Sequence, residues 1–413
     1  MTIDTNQFWN LISESQLVPV DQVQTLFSEF SSDAQDKTAK GLAKWLVKKR
    51  AISRYQATII LTGHSGPFRM GKYTLVSRIE KGPMKGQFSA QDSRSKYPVL
   101  LQFLPGSQTE HLKQWNRIES IADEISTIRH PSVAETFESV VLPNHRFVVS
   151  ELPTGEPLCE KIPRKARLPW KIACGLIAQV ARGLDQFRKA DIIHGSVSPR
   201  TIWITEKGRV QLRRDPFPDL DFQLPDKELN GNESYLDYLA PEQFDSATLQ
   251  SADEPHPSPT GGTAASDIYS LGCTLFRSIA GKTPFPELDP EKKKSDHRNS
   301  PPPDLKRLEL PSELVALLKK MLAKDPAERP EANEVFNLLA LHSGKANELK
   351  SQNFADSPAR LKFRESLTAF APDLENEIVA SAPIIETGTT QACLLYTSPS
   401  PRDATLSRMP SSA

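Results

Sequence analysis

The residues of this sequence with the most evident capacity for chemistry lie in one loop, from His194 to Ile204. The loop carries three hydroxyl side chains, Ser196, Ser198 and Thr201, and a turn follows it at residues 206–208. A serine beside a histidine could act as an activated nucleophile. Neither serine has the G-x-S-x-G setting of a hydrolase, however, so the sequence does not indicate one. A serine hydroxyl without an activating partner also cannot serve as a base at neutral pH.

The elements that must position this loop change character along the chain. Residues 1–66 carry apolar side chains at helical spacing, which predicts a small helical module. Strand-like segments separated by turns follow between about residues 73 and 149. From Pro169 the chain is mostly helical, and the segment from Trp170 to Ala190 has the spacing of a buried helix that leads into the loop.

The loop and four later segments resemble the motifs of protein kinases. His194 and Val197 fit the catalytic-loop pattern H-R-D-L-x-x-x-N. The later segments match A-P-E and three further kinase segments in order: Tyr238–Gln243, Asp267–Gly272, Ile279–Phe285 and Leu317–Pro330. The resemblance to the bacterial Ser/Thr protein kinase family covers about residues 72–342, and the helical start followed by Tyr73 resembles kinases of planctomycete type. It implies a bilobal α+β fold, with a β-rich N-lobe over about 72–150 and a helical C-lobe over about 151–342.

In the N-lobe the resemblance implies a nucleotide site that has lost most of its usual residues. The turn over residues 80–86 resembles the glycine-rich phosphate loop, whose glycines let backbone N–H groups close on phosphates. The strand 97–104 resembles V-A-I-K, but a glutamine replaces the lysine and supplies no charge to a polyphosphate. The residues left to line such a site, including the gatekeeper and hinge positions, are Gly82, Lys85, Gln102, Ser150 and Glu151.

The same resemblance places an unsuitable side chain at every catalytic position. A kinase needs a carboxylate to orient the substrate hydroxyl and accept its proton, and a carboxylate and an amide to hold two magnesium ions. Gly195 also removes the arginine that would read a phosphorylated activation loop. The strand lysine, the catalytic aspartate, its neighbouring lysine, the asparagine and the D-F-G aspartate are replaced by Gln102, Ser196, Ser198, Thr201 and Arg214.

Two acidic groups of a kinase site have no clear counterpart. Asp215 stands one residue after the D-F-G position. A slip of one residue turns a side chain to the opposite face of an extended segment, so we predict that Asp215 faces away from the site. The helix expected over 111–129 offers three acids, Glu119, Asp123 and Glu124, but none has the family's spacing from the following His-Pro pair, and we assign none.

The residues that hold a kinase together are present. The resemblance implies an ion pair between Glu242 and Arg329, hydrogen bonds from the loop backbone to Asp267, and an inward-packed His194. We therefore interpret the chain as a pseudokinase, a scaffold or regulator that binds protein partners, needs no metal or cofactor and does not transfer phosphate. The helical module is the predicted protein-contact element.

Two alternatives stay open. A divergent Ser/Thr kinase would need ATP and magnesium, with Lys81 or Lys85 reaching the phosphates and Asp215 holding one metal ion. A nucleotide-binding switch would hold ATP without transferring phosphate. Metal-free binding would suit it best, because Arg214 puts a positive charge where a magnesium ion would bind but could contact a phosphate directly.

The composition excludes several classes of function. Among 413 residues, 51 basic and 51 acidic side chains balance, which argues against a nucleic-acid partner. The basic residues between Lys44 and Arg54 are predicted to form a solvated helix face. Four scattered cysteines argue against a zinc site or a disulfide framework and favour a reducing compartment. No apolar run reaches the roughly 20 residues of a membrane helix, so we predict a cytoplasmic location.

The last part of the chain predicts little structure. Residues 343–392 are interpreted as a tail with one short helix over about 359–370, and two surface loops are predicted earlier, at 251–265 and 289–303. Residues 393–413 resemble translated sequencing-adapter sequence. We therefore predict that the natural protein departs from this sequence after about residue 392, where a membrane helix could follow.

Overall fold

Four helices pack into a small bundle at the start of the chain. The computed structural model describes residues 3–104, 112–162, 167–215, 234–244, 262–305, 308–345, 348–349 and 358–368. The helices are α1 (Thr5–Ser15), α2 (Val20–Asp33), α3 (Ala39–Lys48) and α4 (Arg54–Leu61). Side chains of Asp4 and Ser53 cap the free N–H groups of α1 and α4. The apolar spacing seen in the sequence forms the core of this bundle, which includes Phe8, Ile12, Leu42, Leu46 and Ile60.

The bundle is joined to the sheet that follows it. The Gln56 side-chain amide donates to the Leu75 carbonyl at 2.6 Å, and the Ser53 hydroxyl donates to the Val76 carbonyl at 2.5 Å. The Tyr55 ring packs edge-on against Phe68 and Phe88. Hydrogen bonds from α4 to the backbone of a neighbouring strand fix the bundle against the sheet.

The N-lobe is a six-stranded antiparallel sheet with one long helix. Its strand order is β1-β2-β3-β4-β6-β5. The strands are β1 (Arg69–Met70), β2 (Tyr73–Arg78), β3 (Phe88–Asp92), β4 (Pro98–Phe103), β5 (Thr136–Leu142) and β6 (His145–Glu151). Helix α5 (Leu112–Ser126) buries Trp115, Ile118 and Ala122 in a cluster with Val148 of strand β6. This packing places α5 against β5 and β6.

The C-lobe is helical and holds the loop between its longest helix and a small sheet. Helix α7 (Trp170–Lys189) buries most of one side, as its spacing predicts, and the three-stranded sheet pairs β7 (Glu156–Pro157), β8 (Ile202–Ile204) and β9 (Val210–Leu212). Helix α8 (Ala264–Ala280) is buried over nearly its whole length. The remaining helices are α6 (Leu158–Lys161), α9 (Pro290–Asn299), α10 (Ser312–Met321) and α11 (Ala332–His342).

One of the two predicted surface loops, 289–303, is largely helical in the structure. Helix α9 forms where a surface loop was predicted, with Asp289 capping it and Pro290 in its first turn. Its composition is almost entirely polar, so apolar periodicity could not reveal it. Lys293, although basic, is buried and pairs with the buried Asp237 at 2.6 Å. In the other predicted loop, residues 251–261 lie outside the described residues, and α8 begins at Ala264.

The last described element, α12 (Pro358–Thr368), lies in the segment interpreted as a tail. It packs against the N-lobe sheet, and its Phe363 side chain is fully buried there. The predicted helix extended to residue 370, and residues 369–413, with the adapter-like end, lie outside the described residues. Within the described part of the chain, no helix is both long and apolar enough to cross a bilayer.

Candidate functional site

Asp267 anchors the loop that carries the candidate catalytic residues. Its two carboxylate oxygens accept hydrogen bonds from the backbone N–H groups of His194 and Gly195, at 2.8 and 2.7 Å. Burial raises the pKa of Asp267 to about 6, although both hydrogen bonds and the nearby Arg214 oppose this rise. Because Asp267 lies in the buried helix α8, the loop is fixed to the core of the C-lobe.

His194 lies inside the fold and has both ring nitrogens occupied. Its Nδ1 accepts from the backbone N–H of Ser196 at 3.3 Å, so Nε2 carries the proton and donates to the Arg213 carbonyl at 3.1 Å. Burial, with a smaller effect from Arg214, lowers the pKa of His194 to about 3. A neutral ring whose two nitrogens are both engaged cannot activate the neighbouring serine hydroxyl.

The hydroxyl group of Thr201 closes the loop on itself. It accepts from the backbone N–H of Ser198 at 3.1 Å, and its proton is shared between the carbonyls of Ser196 and Ser198, at 3.2 and 3.1 Å. These contacts are local turn hydrogen bonds of the kind hydroxyl side chains commonly make. Thr201 therefore serves the shape of the loop at the position where a kinase has its metal-binding asparagine.

Gln102 forms part of a polar network between the lobes. Its amide N–H donates to Asp215 Oδ1 at 2.5 Å, and its carbonyl accepts from Arg213 Nη2 at 2.9 Å. Arg213 Nη2 also donates to the Gln87 side chain at 3.2 Å. Our prediction that Asp215 faces away is therefore wrong. Strand β9 ends at Leu212, so the alternation of a regular strand does not continue to Asp215.

Arg214 occupies the interior at the D-F-G position. Its side chain is buried, and burial lowers its pKa to about 10 against the opposing effects of Asp267 and Glu124. Glu124 lies on α5, so the structure brings one of the three helix acids toward this arginine. A signal for this proximity was present in the sequence, because an arginine in place of a buried aspartate requires an acid nearby. Where a metal ion would bind in a kinase, this chain holds a guanidinium.

An apolar cluster lies among the elements that line the cleft between the lobes. Met84, Leu100 and Trp203 are buried together in one cluster, with Ile79 and Leu152 at its edge. These residues come from the glycine-containing turn, the V-A-I-K-like strand β4, the hinge and strand β8, which are the elements that surround a nucleotide in a kinase. Leu100 stands at the alanine position of V-A-I-K, and Met84 enters from the turn.

The glycine-containing turn also lies close to the C-lobe. A side-chain carbon on Gly82 would lie 2.8 Å from the Glu160 carboxylate, so the turn lies beside the end of this side chain of α6. Glu80, Lys81 and Lys85 are exposed. The residues present therefore do not fit ATP with magnesium, because an apolar cluster lies among the elements that would surround the adenine and a buried guanidinium stands at the position of the D-F-G aspartate.

The two hinge candidates do not present polar groups to a nucleotide. The Ser150 hydroxyl is buried with no hydrogen-bond partner among the described residues. Glu151 accepts from the Gln211 side chain at 3.1 Å and from the backbone N–H of Glu135 at 3.2 Å. Its carboxylate is therefore committed to neighbouring protein groups.

Glu242 and Arg329 form a bidentate ion pair in the C-lobe. The two hydrogen bonds measure 2.6 and 2.9 Å, and the Arg329 side chain is fully buried. Burial alone would raise the pKa of Glu242, but hydrogen bonds from Arg329 and Ser266 hold it below its ordinary value. Arg329 also donates to three backbone carbonyls, at Ala265, Ala323 and Lys324. This arginine ties the A-P-E-like segment to the C-terminal helices.

Comparison with known proteins gives a consistent family assignment. Residues 77–339 match the protein kinase domain. The chain is 28% identical over 271 residues to the serine/threonine-protein kinase PknA of Mycobacterium tuberculosis, covering 64% of this chain and 60% of that protein. It is 26% identical over 273 residues to PknA of Corynebacterium glutamicum, covering 64% and 54%. It is 23% identical over 319 residues to PrkC of Bacillus subtilis, covering 76% and 46%. The chain thus spans about half the length of these relatives.

Proposed function

We propose that this chain, which belongs to the protein kinase family, is a pseudokinase that acts through protein contacts and does not transfer phosphate. One observation carries the proposal: the cleft that would hold a nucleotide is filled by Met84, Leu100 and Trp203. Displacing three buried apolar side chains would cost several kcal/mol, by the scale of about 1.5–3 kcal/mol for each buried side chain.

The loop chemistry supports the same proposal. Phosphate transfer from ATP requires a carboxylate at the attacking hydroxyl and groups that hold magnesium. At these positions the chain has Ser196, whose histidine neighbour is neutral and engaged, and Thr201, whose hydroxyl closes the loop. The buried Arg214 would repel a metal ion. Each of these replacements would have to be rescued separately for the reaction to proceed.

A divergent Ser/Thr kinase is the second candidate, and one observation favours it. Asp215 lies in the cleft against Gln102, and could approach a metal ion if that hydrogen bond broke. The related proteins named above are Ser/Thr kinases, so ATP and magnesium would be the cofactors. The nucleotide switch is a further candidate, for which Arg213 and Arg214 would contact phosphates without metal.

A phosphate-transfer assay on the full chain separates these candidates. We expect no incorporation of labelled phosphate into the chain or into a basic protein substrate with Mg-ATP or Mn-ATP. The matched variant is Asp215→Asn, which removes the carboxylate that accepts from Gln102 while keeping the hydrogen-bonding shape. Incorporation by the wild-type chain that Asp215→Asn abolishes would overturn the pseudokinase proposal and establish the divergent kinase.

The remaining assignments follow from the pseudokinase proposal. The expected partners are proteins, and the expected location is the cytoplasm. The N-terminal bundle stays the proposed contact element, because α2 leaves the apolar side chains of Val20 and Phe27 exposed while α4 is joined to the sheet.

A further inference from the structure

Helix α12 lies in a groove on the N-lobe that has both aromatic and acidic walls. We define the hinge groove by the residues that contact this helix: Tyr97, Phe137, Glu135 and Glu151. The family match ends at residue 339, so α12 belongs to the chain that follows the kinase domain. The described helix contributes Arg360, Phe363 and Arg364 to the groove, at the three- and four-residue spacing of one helix face.

Phe363 fills the apolar part of the hinge groove. Its ring stacks on Tyr97, with centroids 5.0 Å apart and planes 10° apart, and meets Phe137 edge-on at 4.9 Å. The side chain is fully buried, although it belongs to a helix whose other described side chains are mostly exposed. Aromatic contacts of this kind stabilise beyond the area they bury. Phe363 is therefore the anchor of the contact.

The acidic part of the groove requires a cation. Glu135 and Glu151 lie side by side with side chains only 6% and 11% exposed, and two adjacent carboxylates in such a site repel each other when both are ionised. Arg360 donates to both of them, with a 3.1 Å bond to Glu151 Oε1, and Arg364 adds bonds of 2.8 and 2.6 Å to the Glu135 oxygens. Two guanidinium groups thus neutralise two buried acids.

The groove also connects the two lobes. Glu151 is the last residue of β6, where the chain enters the hinge, and its Oε1 accepts from Gln211 of β9 in the C-lobe at 3.1 Å. The backbone N–H of Glu135 donates to Glu151 Oε2 at 3.2 Å. Arg360 therefore binds the residue through which the N-lobe contacts strand β9 of the C-lobe.

We propose that the hinge groove is a binding site for the Arg360, Phe363 and Arg364 face of the chain's own helix α12, and that this contact is a latch through which the chain beyond the kinase domain acts on the lobe hinge. The groove selects an arginine–aromatic–arginine helix because it offers two buried carboxylates beside two aromatic rings. With the helix seated, the hinge is held in one arrangement. With the helix withdrawn, the paired carboxylates are left without their cations and the hinge must rearrange.

Hydrogen exchange measured by mass spectrometry on the full chain tests the latch. In the wild-type chain we expect slowed exchange in peptides that cover residues 358–368 and 147–152. In Arg360→Ala/Arg364→Ala both peptides should exchange at least tenfold faster, while peptides of α8 keep their wild-type rate. The matched control is Lys362→Ala, an exposed position on the same helix, which should leave all three peptides unchanged.

Three results would overturn the proposal. The first is rapid exchange of 358–368 in the wild-type chain, which would mean that the helix is not seated. The second is faster exchange of 358–368 alone in the double variant, which would mean that the helix does not act on the hinge. The third is protection that vanishes on dilution together with a dimeric mass by light scattering, which would place the helix in a second copy's groove. Arg360→Lys/Arg364→Lys keeps the charge but loses the paired geometry, and we expect an intermediate rate.

Discussion

The C-lobe side and the cleft side of the catalytic-loop region differ in how many of the contacts implied by the resemblance to a kinase they make. On the C-lobe side, Asp267 holds the loop backbone and Arg329 holds Glu242, each with the partners expected of a kinase. On the cleft side, Gln102 and Thr201 stand where the resemblance to a kinase implies a lysine and an asparagine. Both side chains hydrogen-bond to neighbouring protein groups. The difference teaches that the loss of Arg329 would leave the Glu242 carboxylate without its partner, whereas a residue that contacts only a ligand leaves no such group behind when it is replaced.

Breaking the retained side should have the largest effect. Arg329→Ala leaves the half-buried Glu242 carboxylate and three backbone carbonyls without their donor, and we expect the free energy of unfolding to fall by about 3 kcal/mol. Chemical unfolding followed by fluorescence measures this change. The control is Arg209→Ala at an exposed turn, which should stay within about 0.5 kcal/mol. If both variants changed the free energy of unfolding by the same small amount, Arg329 would not stabilise the C-lobe side as described.

The next largest loss of stability is expected from shortening Met84, which packs in the cleft. Met84→Ala should lower the free energy of unfolding by about 2 kcal/mol because it leaves a cavity between the lobes. Met70→Ala is the matched control, since Met70 is equally buried, at 5% exposure, but belongs to the sheet core. Both variants should lose stability, and only Met84→Ala should gain a thermal shift with adenosine. A gain in both, or in neither, would mean that Met84 does not fill the adenine space.

The Arg329 and Met84 sites show how much of the structure could be predicted from the sequence. The motif positions indicated that Asp267 anchors the loop and that Arg329 pairs with Glu242, because all three residues match segments whose contacts follow from the fold. The sequence also showed which catalytic types were missing. It could not show that Met84 and Trp203 pack together in the cleft. A motif comparison identifies which catalytic residue types are missing, but it does not identify the side chains that pack in their place. Phe363 was hidden for a related reason, since a short helix with one buried ring has little periodicity.

The anchored histidine should make stability depend on pH. An unfolded histidine binds its proton near pH 6.5, whereas His194 in the folded chain does so near 3. At this residue the unfolded state therefore holds more protons between these values, so the contribution of His194 to the free energy of unfolding falls as the pH decreases from 6.5 toward 3. His194→Gln should lower the slope of the unfolding free energy against pH by up to one proton, which is about 1.4 kcal/mol per pH unit. Equal slopes in the wild type and His194→Gln would contradict the assignment.

The smallest effect should come from the residue at the catalytic aspartate position. Ser196 contributes its backbone to the loop, through its N–H to His194 and its carbonyl to Thr201. Ser196→Ala keeps both groups, so we expect a change within about 0.5 kcal/mol in chemical unfolding and no change in phosphate incorporation. Thr201→Val is the contrasting variant, since it removes a hydroxyl that closes the loop, and should cost about 1 kcal/mol. Phosphate incorporation by the wild-type chain that Ser196→Ala abolishes would assign chemistry to that hydroxyl.

The most direct test of the account is a calorimetric titration of the full chain with ATP, performed with and without magnesium. A cleft filled by Met84, Leu100 and Trp203, with Arg214 at the metal position, predicts no binding at millimolar Mg-ATP. Saturable binding that requires magnesium would contradict the account, because it would mean that the cleft opens and that the metal position accepts a cation.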